Sequence, residues 1–317
     1  MAAEYDIIII GGGPSGLSAA SSIVRQSHET VLLDSGKYRN GKSKHMHTVP
    51  AWDNHDPEEF RAAARADFVR YDSVTVENVE VTSVKKRDDG LFEATGNNGK
   101  AWVGKKLILA TGVQDVFPDI PGYADCWLSG IFHCLYCHGW EEKGTPSAGM
   151  LAEGDTSTAV VALHLARQAL RMSDRVTLYT NGNEQLAKDL ADALEAAPAP
   201  MAVEPRKITK LVKAPERAQI TIHLDDGTSK TEAFLAHKPK TTLRGSLAQQ
   251  LGLELTPMNT IKVNPPFNQT SVKGVFAAGD CSSPMHTVNA ALHSGTCAGG
   301  GAPLQIQAET YNQRAIF

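Results

Sequence analysis

A glycine-rich turn near the start of the chain constrains the fold more than any other feature. Gly11, Gly13 and Gly16 follow a continuous apolar, β-branched run at residues 5–10 and open a stretch with helical spacing. In such a segment the first glycine permits a tight turn and the second lets a pyrophosphate approach the backbone, while the third lets helix and strand pack closely. The pattern therefore predicts a βαβ nucleotide-binding unit whose helix N-terminus faces the phosphates.

Asp34 extends this prediction, because it follows directly on a second apolar run at residues 30–33. A carboxylate at the end of the second strand accepts hydrogen bonds from ribose hydroxyls and repels a 2′-phosphate. Asp34 thus favours FAD or NAD over NADP. The alternative is a glycine-rich turn that binds no ligand.

The middle of the chain repeats the arrangement. Spacing predicts strands at residues 147–152 and 175–179, with a helix at 155–171 that turns Val160, Leu163, Ala166 and Leu170 to one side. Short strands at 79–84, 91–95 and 101–110 form a predicted meander, and residues 116–122 mark a linker. We therefore predict an α/β fold with two doubly wound, Rossmann-like dinucleotide-binding domains.

The charge distribution and the hydropathy of the sequence exclude two classes of partner. The 31 basic and 35 acidic residues are spread along the chain, so no basic stripe indicates a nucleic-acid partner. The longest apolar stretches, at 7–10 and 107–110, fall far short of the about 20 residues that cross a bilayer, and the start lacks a signal-peptide pattern. We expect a cytoplasmic protein that binds neither nucleic acid nor membrane.

Two of the five cysteines, Cys134 and Cys137, are separated by only two residues. This spacing allows a disulfide that opens and closes easily, and in a reducing compartment it indicates redox chemistry or metal ligation. The alternative is zinc bound by His133, Cys134, Cys137 and His138. Adjacent ligands are hard to arrange tetrahedrally, however, and no second pair completes a structural site.

His138 is the natural acid or base beside this pair, because an imidazole titrates near neutral pH. The alternative is a histidine that only orients the loop by hydrogen bonding. We expect Cys126, Cys281 and Cys297 to be structural, since free cysteines often behave as small buried hydrophobes.

Together these features resemble the low-molecular-weight thioredoxin reductase family over nearly the whole chain. The segments that carry the resemblance are Gly11-Gly12-Gly13-Pro14-Ser15-Gly16, Ala110-Thr111-Gly112, Cys134 to Gly139, His237-Lys238-Pro239 and Gly274-Val275-Phe276-Ala277-Ala278-Gly279-Asp280. The resemblance implies FAD as cofactor and a homodimer. It also implies a FAD-binding domain in two pieces, residues 1–116 and 241–317, around a second domain at 117–240 that carries the cysteine pair.

The motif and the resemblance together predict a set of cofactor-binding residues and no metal site. They are Gly11, Gly13, Pro14, Ser15, Gly16, Asp34, Ser35, Thr111, Gly112, Gly279, Asp280, Thr287 and Val288. The resemblance implies that Asp280 contacts the ribitol and that a helix beginning near Thr287 points its N-terminus at the pyrimidine edge of the flavin.

The second domain departs from the family at the positions that bind the nicotinamide nucleotide. In place of a second G-x-G-x-x-[GA] motif, the sequence reads Ala152-Glu153-Gly154-Asp155-Thr156-Ser157, which puts a carboxylate where a pyrophosphate would approach. Residues 179–184 supply no cation for a 2′-phosphate. We predict a degenerate NADPH-binding-like domain. The alternative is NADPH binding through altered contacts, since Arg171 and Arg175 lie nearby in sequence.

The second departure is His138, because thioredoxin reductases have aspartate after the cysteine pair. Cys-x-x-Cys-His-Gly resembles instead the dithiol oxidases that close disulfides in natural products such as gliotoxin and holomycin. This likeness implies FAD-dependent oxidation of a small-molecule dithiol at Cys134 and Cys137, with O2 as acceptor and H2O2 as product. The alternatives are an NADPH-dependent thioredoxin-type disulfide reductase and a flavin-binding protein without turnover.

Overall fold

The computed structural model describes residues 4–317, which form two compact units. Unit 1 consists of the chain up to Gln114 together with Thr242–Phe317, and unit 2 consists of Asp115–Thr241. The two ends of the sequence thus build one unit, and the other is inserted between them.

The secondary structure alternates strands and helices in both units. The strands are β1 (Tyr5–Ile10), β2 (Thr30–Asp34), β3 (Val74–Asn78), β4 (Val81–Lys86), β5 (Phe92–Gly96), β6 (Ala101–Leu109), β7 (Val113–Val116), β8 (Ile131–Phe132), β9 (Ala148–Leu151), β10 (Val176–Tyr179), β11 (Met201–Glu204), β12 (Ile208–Lys213), β13 (Ile220–Leu224), β14 (Ser229–Glu232), β15 (Leu235–Ala236), β16 (Lys240–Leu243) and β17 (Val275–Ala277). The helices are α1 (Pro14–Ile23), α2 (Pro57–Asp67), α3 (Tyr123–Cys126), α4 (Ala159–Ala169), α5 (Glu184–Ala196), α6 (Leu247–Gln250) and α7 (Val288–Thr310).

The sheet of unit 1 has the strand order β3-β2-β1-β6-β5-β4, and β17 also pairs with β6. β1, β2, β3, β6 and β17 run parallel, whereas β4, β5 and β6 form an antiparallel meander. β2 lies on one side of β1 and β6 lies on the other. The direction in which successive strands are added to the sheet therefore reverses beside β1. Ligands of doubly wound sheets bind outside the carboxyl ends of the strands at such a reversal.

β1 is buried on both faces of this sheet. Ile7 and Ile9 pack with α1 and α7 on one face, and Ile8 packs with Phe92 and Trp102 of the meander on the other. Full burial of one such isoleucine stabilises the fold by about 1.5–3 kcal/mol. The continuous apolar run that predicted the strand is therefore explained by cover on both sides.

Unit 2 has a parallel sheet of its own, with the order β11-β10-β9-β15-β8. α4 and α5 share a buried cluster with one face of this sheet. An antiparallel sheet, β12-β13-β14, contributes to the cluster on the other face together with the aromatic residues Tyr123 and Trp127. Both units are therefore Rossmann-like α/β structures, and the predicted fold class is confirmed.

One local prediction was wrong in part, and one strand was missed. α4 covers only Ala159–Ala169, and its buried residues are Ala162, Leu165, Ala166 and Ala169, whereas Val160 is 79% exposed. The prediction followed the larger apolar side chains, but alanines allow close packing of the helix on the sheet. β3 was missed because residues 74–78 include three polar side chains, and the strand lies half-buried at the edge of its sheet.

α7 is 23 residues long and contains an internal proline, Pro303. Its glycines at 295 and 299 face the backbone of Ser15 and Ala19 in α1, where an added Cβ would overlap a carbonyl oxygen. Within residues 4–317, no helix is both long enough and apolar enough to cross a membrane.

Candidate active site

The glycine loop of unit 1 joins β1 to α1. Gly11 has a φ of +112°, and a Cβ there would overlap the carbonyl oxygen of Ala110, so only glycine fits. α1 begins at Pro14, and no side chain caps its N-terminus. A Cβ added at Gly13 would meet no atom within 4 Å. The loop thus leaves open space before an uncapped helix N-terminus, which fits a pyrophosphate.

Asp34 ends β2 and is only 2% exposed. Its Oδ1 accepts hydrogen bonds from the N–H groups of Gly12 at 3.1 Å and Gly36 at 3.2 Å. Its Oδ2 accepts from the Tyr38 hydroxyl and the Arg65 guanidinium. Protein donors therefore hold the carboxylate at the mouth of the glycine loop.

Tyr38, Arg61 and Arg65 were missed by the sequence analysis. The Arg61 guanidinium lies 3.9 Å from the centre of the Tyr38 ring. Burial, followed by the hydrogen bond to Asp34, raises the pKa of Tyr38 to about 12, so its hydroxyl remains a donor. The available signal was the four-residue spacing of the two arginines, which puts them on one face of α2.

The other predicted cofactor residues of unit 1 follow the carboxyl ends of neighbouring strands. Thr111 and Gly112 come after β6, and Gly279 and Asp280 come after β17, which pairs with β6. The N–H of Gly279 donates to Ser294 Oγ at 2.7 Å, and Arg39 Nη1 lies 3.6 Å from Asp280 Oδ2. Because the strands are parallel, these residues lie at the same carboxyl end of the sheet as the glycine loop.

Two further predicted residues, Thr287 and Val288, lie where α7 begins. Val288 is the first helical residue, and the Thr287 side chain accepts a hydrogen bond from the N–H of Ala290 at 3.2 Å. Ser35 follows β2, and its Oγ accepts from the N–H of Lys37 at 3.3 Å.

In unit 2, Cys134 and Cys137 form a disulfide with their Cα atoms 5.2 Å apart. They lie in the cysteine loop, defined here as residues 133–142, which follows the carboxyl end of β8. The carbonyl of Cys134 accepts from the N–H groups of Cys137 at 3.2 Å and His138 at 3.0 Å, so the segment is a tight turn. Within it the N–H of Cys137 also donates to Cys134 Sγ at 3.1 Å.

Each histidine of the cysteine loop stacks on an aromatic ring. His138 lies on Phe132 with ring centroids 5.3 Å apart, and His133 lies on Trp127 at 5.3 Å. Both rings are thus held beside the disulfide. Among residues 4–317, no three His, Cys, Asp or Glu side chains are grouped closely enough to hold a metal ion.

The end of the cysteine loop is anchored to the β12–β13 connection. Glu142 is buried, and its Oε2 lies 3.3 Å from Arg217 Nε. Arg217 also donates to the carbonyl of Glu141. Burial raises the pKa of Glu142, and the Arg217 charge opposes that rise.

The unit 2 loop, residues 152–157, differs from the glycine loop in structure as well as in sequence. The Glu153 side chain accepts from the backbone of Thr156 and from Asn181 Nδ2, the latter at 2.9 Å. α4 starts only at Ala159, and the Thr158 side chain caps it by accepting from the N–H of Val161. A fixed carboxylate and a capped helix end replace the open cradle of unit 1.

His237 forms a hydrogen bond with the backbone of the unit 2 loop. Its Nε2 lies 3.1 Å from the carbonyl oxygen of Glu153, and its Nδ1 lies 2.6 Å from the Tyr123 hydroxyl. Because a carbonyl can only accept, Nε2 carries the proton and Nδ1 accepts from Tyr123. Burial lowers the pKa of His237 to about 4 and raises the pKa of Tyr123.

Arg171 and Arg175 do not compensate for this loop. Arg171 follows α4 and Arg175 precedes β10, so both lie at the amino end of that strand, opposite the edge where nucleotides bind. Arg206, beyond β11, pairs with Glu204 and Asp226. Arg171 and Arg175 therefore lie at the wrong end of β10 to contact NADPH bound at the carboxyl ends of the strands.

The remaining cysteines are free thiols. Cys126 and Cys281 are fully buried and Cys297 is partly buried. Burial raises the pKa of each thiol, that of Cys281 to about 11, so all three are poor nucleophiles at neutral pH.

The chain is similar to known proteins over nearly its whole length. A model of the pyridine nucleotide-disulphide oxidoreductase family matches residues 5–295. The chain is 46% identical over 314 residues to thioredoxin reductase tcpT of Claviceps purpurea, covering 98% of this chain and 97% of that protein. It is 43% identical over 305 residues to thioredoxin reductase aclD of Aspergillus oryzae, covering 95% and 96%. The crystal structure of an oxidoreductase from Agrobacterium tumefaciens matches with a TM-score of 0.84 and 32% identity, covering 98% of this chain and 99% of that one.

The family match spans both units, and the Cys134–Cys137 disulfide gives the chain the redox-active pair expected of a disulfide oxidoreductase. This chain therefore belongs to the pyridine nucleotide-disulphide oxidoreductase family, as a thioredoxin reductase-like member.

Proposed function

We propose that this protein is a FAD-dependent dithiol oxidase that converts a small-molecule dithiol into a disulfide. The overall reaction is R(SH)2 + O2 → R(S–S) + H2O2, in which the dithiol loses two electrons and two protons. The observation that carries the proposal is the contrast between the units. Gly13 opens onto space, whereas Glu153 fixes a carboxylate in the corresponding loop of unit 2.

FAD fits unit 1 by this same observation. The N-terminus of α1 would hold the pyrophosphate, Asp34 the ribose side, and the segments around Thr111, Gly279 and Thr287 the rest of the cofactor. When bound, FAD would supply a two-electron acceptor for the reduced cysteine pair and a route for those electrons to O2.

The cysteine pair carries out the thiol exchange. A substrate thiolate attacks Cys134, forming a substrate–Cys134 bond and releasing Cys137 as a thiolate. The second substrate thiol then attacks the substrate sulfur, closing the product disulfide and releasing Cys134. At this step the N–H of Cys137, 3.1 Å from Cys134 Sγ, stabilises the departing thiolate.

His138 moves the protons of this exchange. His138 directly follows Cys137 in the chain, and its ring is stacked on that of Phe132. In this position it takes a proton from an incoming thiol and returns one to a departing thiolate, a role that an imidazole can fill because it both accepts and donates a proton.

The second candidate is an NADPH-dependent thioredoxin-type reductase, which the names of the relatives favour. Such an enzyme needs a pyrophosphate site and a cation for the 2′-phosphate in unit 2. The fixed Glu153 and the positions of Arg171 and Arg175 count against both. A flavin-binding protein without turnover is the third candidate, and the intact cysteine pair counts against it. We also propose a homodimer, on family likeness, which analytical ultracentrifugation would test.

The experiment is anaerobic reduction of the purified holoprotein, followed by flavin absorbance. One cuvette receives dithiothreitol and the other NADPH, and air is then admitted. Bleaching by the dithiol but not by NADPH, with H2O2 formed on aeration, is the expected result. Fast bleaching by NADPH would make the protein a reductase, and no bleaching by either reductant would leave a binding protein.

A further inference from the structure

Two aromatic side chains of the cysteine loop are turned to solvent beside the disulfide. Tyr136, between the cysteines, is 73% exposed, and Trp140, just after Gly139, is 72% exposed. Aromatic side chains each bury about 150–250 Å² when they are covered. Two of them left open at a reactive centre indicate a surface that is covered during function.

The local packing of the cysteine loop explains why these two side chains are exposed. Leu135 is buried in the core of unit 2, so the neighbouring Tyr136 is directed outward. Gly139 has a φ of +143°, and this turn carries the chain from His138 to Trp140. On the other side of Trp140, the buried Glu142 pairs with Arg217. Trp140 therefore projects from a turn that is anchored at both ends.

Tyr136 and Trp140 are the exposed apolar groups of the cysteine loop. The Glu142 carboxylate is buried and directed at Arg217, whereas Glu141 is exposed and its Oε2 accepts from the N–H of Gly139 at 3.1 Å. Aromatic side chains lose few rotamers on binding and prefer the faces and edges of other rings.

We propose that Tyr136 and Trp140 form a substrate rim that selects dithiols carried on a flat, apolar ring system. The inference rests on the proposed dithiol oxidation and adds the class of substrate. Tyr136 is the second residue after Cys134 in the chain, so a thiol that attacks Cys134 Sγ approaches the segment that carries Tyr136. Two side chains cover a small molecule but supply only part of the about 1,200 Å² that a stable protein–protein interface buries in total.

The test compares two dithiols that both close six-membered cyclic disulfides, 1,2-bis(mercaptomethyl)benzene and dithiothreitol. Each transfers two electrons and two protons to the Cys134–Cys137 disulfide, leaving two protein thiols. The anaerobic rate of this reduction is measured on the holoprotein as the sum of flavin bleaching and of cysteines labelled after a maleimide quench, because bound FAD would accept electrons from the reduced pair. O2 consumption is recorded separately, so failure of the oxidase reaction and failure of the rim give different results.

We expect the wild type to react faster with the aromatic dithiol than with dithiothreitol. Trp140→Ser and Tyr136→Ser should each lower the aromatic-to-dithiothreitol rate ratio by up to about tenfold, the value of one aromatic contact. Trp140→Phe and Tyr136→Phe, which keep a ring, should recover most of the ratio. The matched control is Tyr311→Ser in unit 1, where an equally exposed tyrosine (71%) lies outside the cysteine loop.

Equal wild-type rates with the two dithiols would overturn the proposal, as would a ratio that neither serine variant changes. A faster reaction with reduced thioredoxin that is lost in the same variants would assign the rim to a protein partner instead. Arg217→Ala tests the contact that anchors the cysteine loop. Loss of this contact should lower the aromatic-to-dithiothreitol rate ratio although both rings are still present.

Discussion

The backbone N–H of Cys137 donates a hydrogen bond to Cys134 Sγ across the disulfide turn, at 3.1 Å. This bond makes the two sulfurs unequal. A donor aimed at one sulfur stabilises negative charge on that sulfur. Because the donor is main chain, no side-chain substitution at position 137 other than proline removes it.

The inequality predicts the alkylation behaviour of single-cysteine variants. In reduced Cys137→Ser the thiol of Cys134 keeps its amide donor, so at neutral pH it should react faster with iodoacetamide than the thiol of Cys137 does in Cys134→Ser. Mass spectrometry of the labelled peptide separates these reactions from labelling at Cys297. Equal rates would contradict the assignment of Cys134 as the stabilised leaving group.

The role of His138 predicts a pH-dependent loss. His138→Gln should slow reduction of the enzyme disulfide by a dithiol about 10²-fold at pH 7, the lower range for a general base. The deficit should shrink as the pH rises towards the substrate thiol pKa, because ionised substrate needs no base. The control is His164→Gln, at an exposed site on α4. A deficit that stays constant with pH would mean that His138 only shapes the loop.

The open space at Gly13 predicts a cofactor defect without a folding defect. A methyl group at Gly13 meets no protein atom, so Gly13→Ala should leave the unfolding temperature of the apoprotein unchanged and weaken FAD binding about tenfold. Gly11→Ala should instead destabilise the apoprotein by about 1–3 kcal/mol, because its φ is +112°. Flavin fluorescence titration and thermal unfolding separate the two variants. Unchanged FAD affinity in Gly13→Ala would remove the glycine loop from the cofactor site.

The buried His237 predicts how stability depends on pH. Its pKa is about 4 in the folded protein, so the unfolded chain takes up a proton at higher pH than the folded one does. This contribution to stability is complete above the unfolded pKa of about 6.5 and should fall by roughly 3 kcal/mol as the pH drops from 6.5 to 4. His237→Gln should flatten this part of a urea-unfolding profile, with His164→Gln as control. Identical slopes in wild type and His237→Gln would contradict the buried neutral state.

Much of this could be predicted from sequence because the signals are local. The apolar run of β1, the glycines after it and the spacing of Cys134 and Cys137 each lie within a few residues of one another. The support of Asp34 by Arg65 and of Glu142 by Arg217 could not be predicted, since each pair joins segments that meet only in the folded chain. The buried face of α4 was misjudged for a similar reason, because the selection of alanine depends on how closely the sheet approaches.

The packing of Gly295 and Gly299 against Ser15 and Ala19 has a consequence for the order of events during synthesis. α7 packs on the helix that follows the glycine loop, and it is translated after every residue of unit 2. Unit 1 therefore cannot be completed until the inserted unit has been made, and α1 lacks its packing partner until then. A ribosome stalled before α7 would carry the glycine loop without the helix that packs on α1.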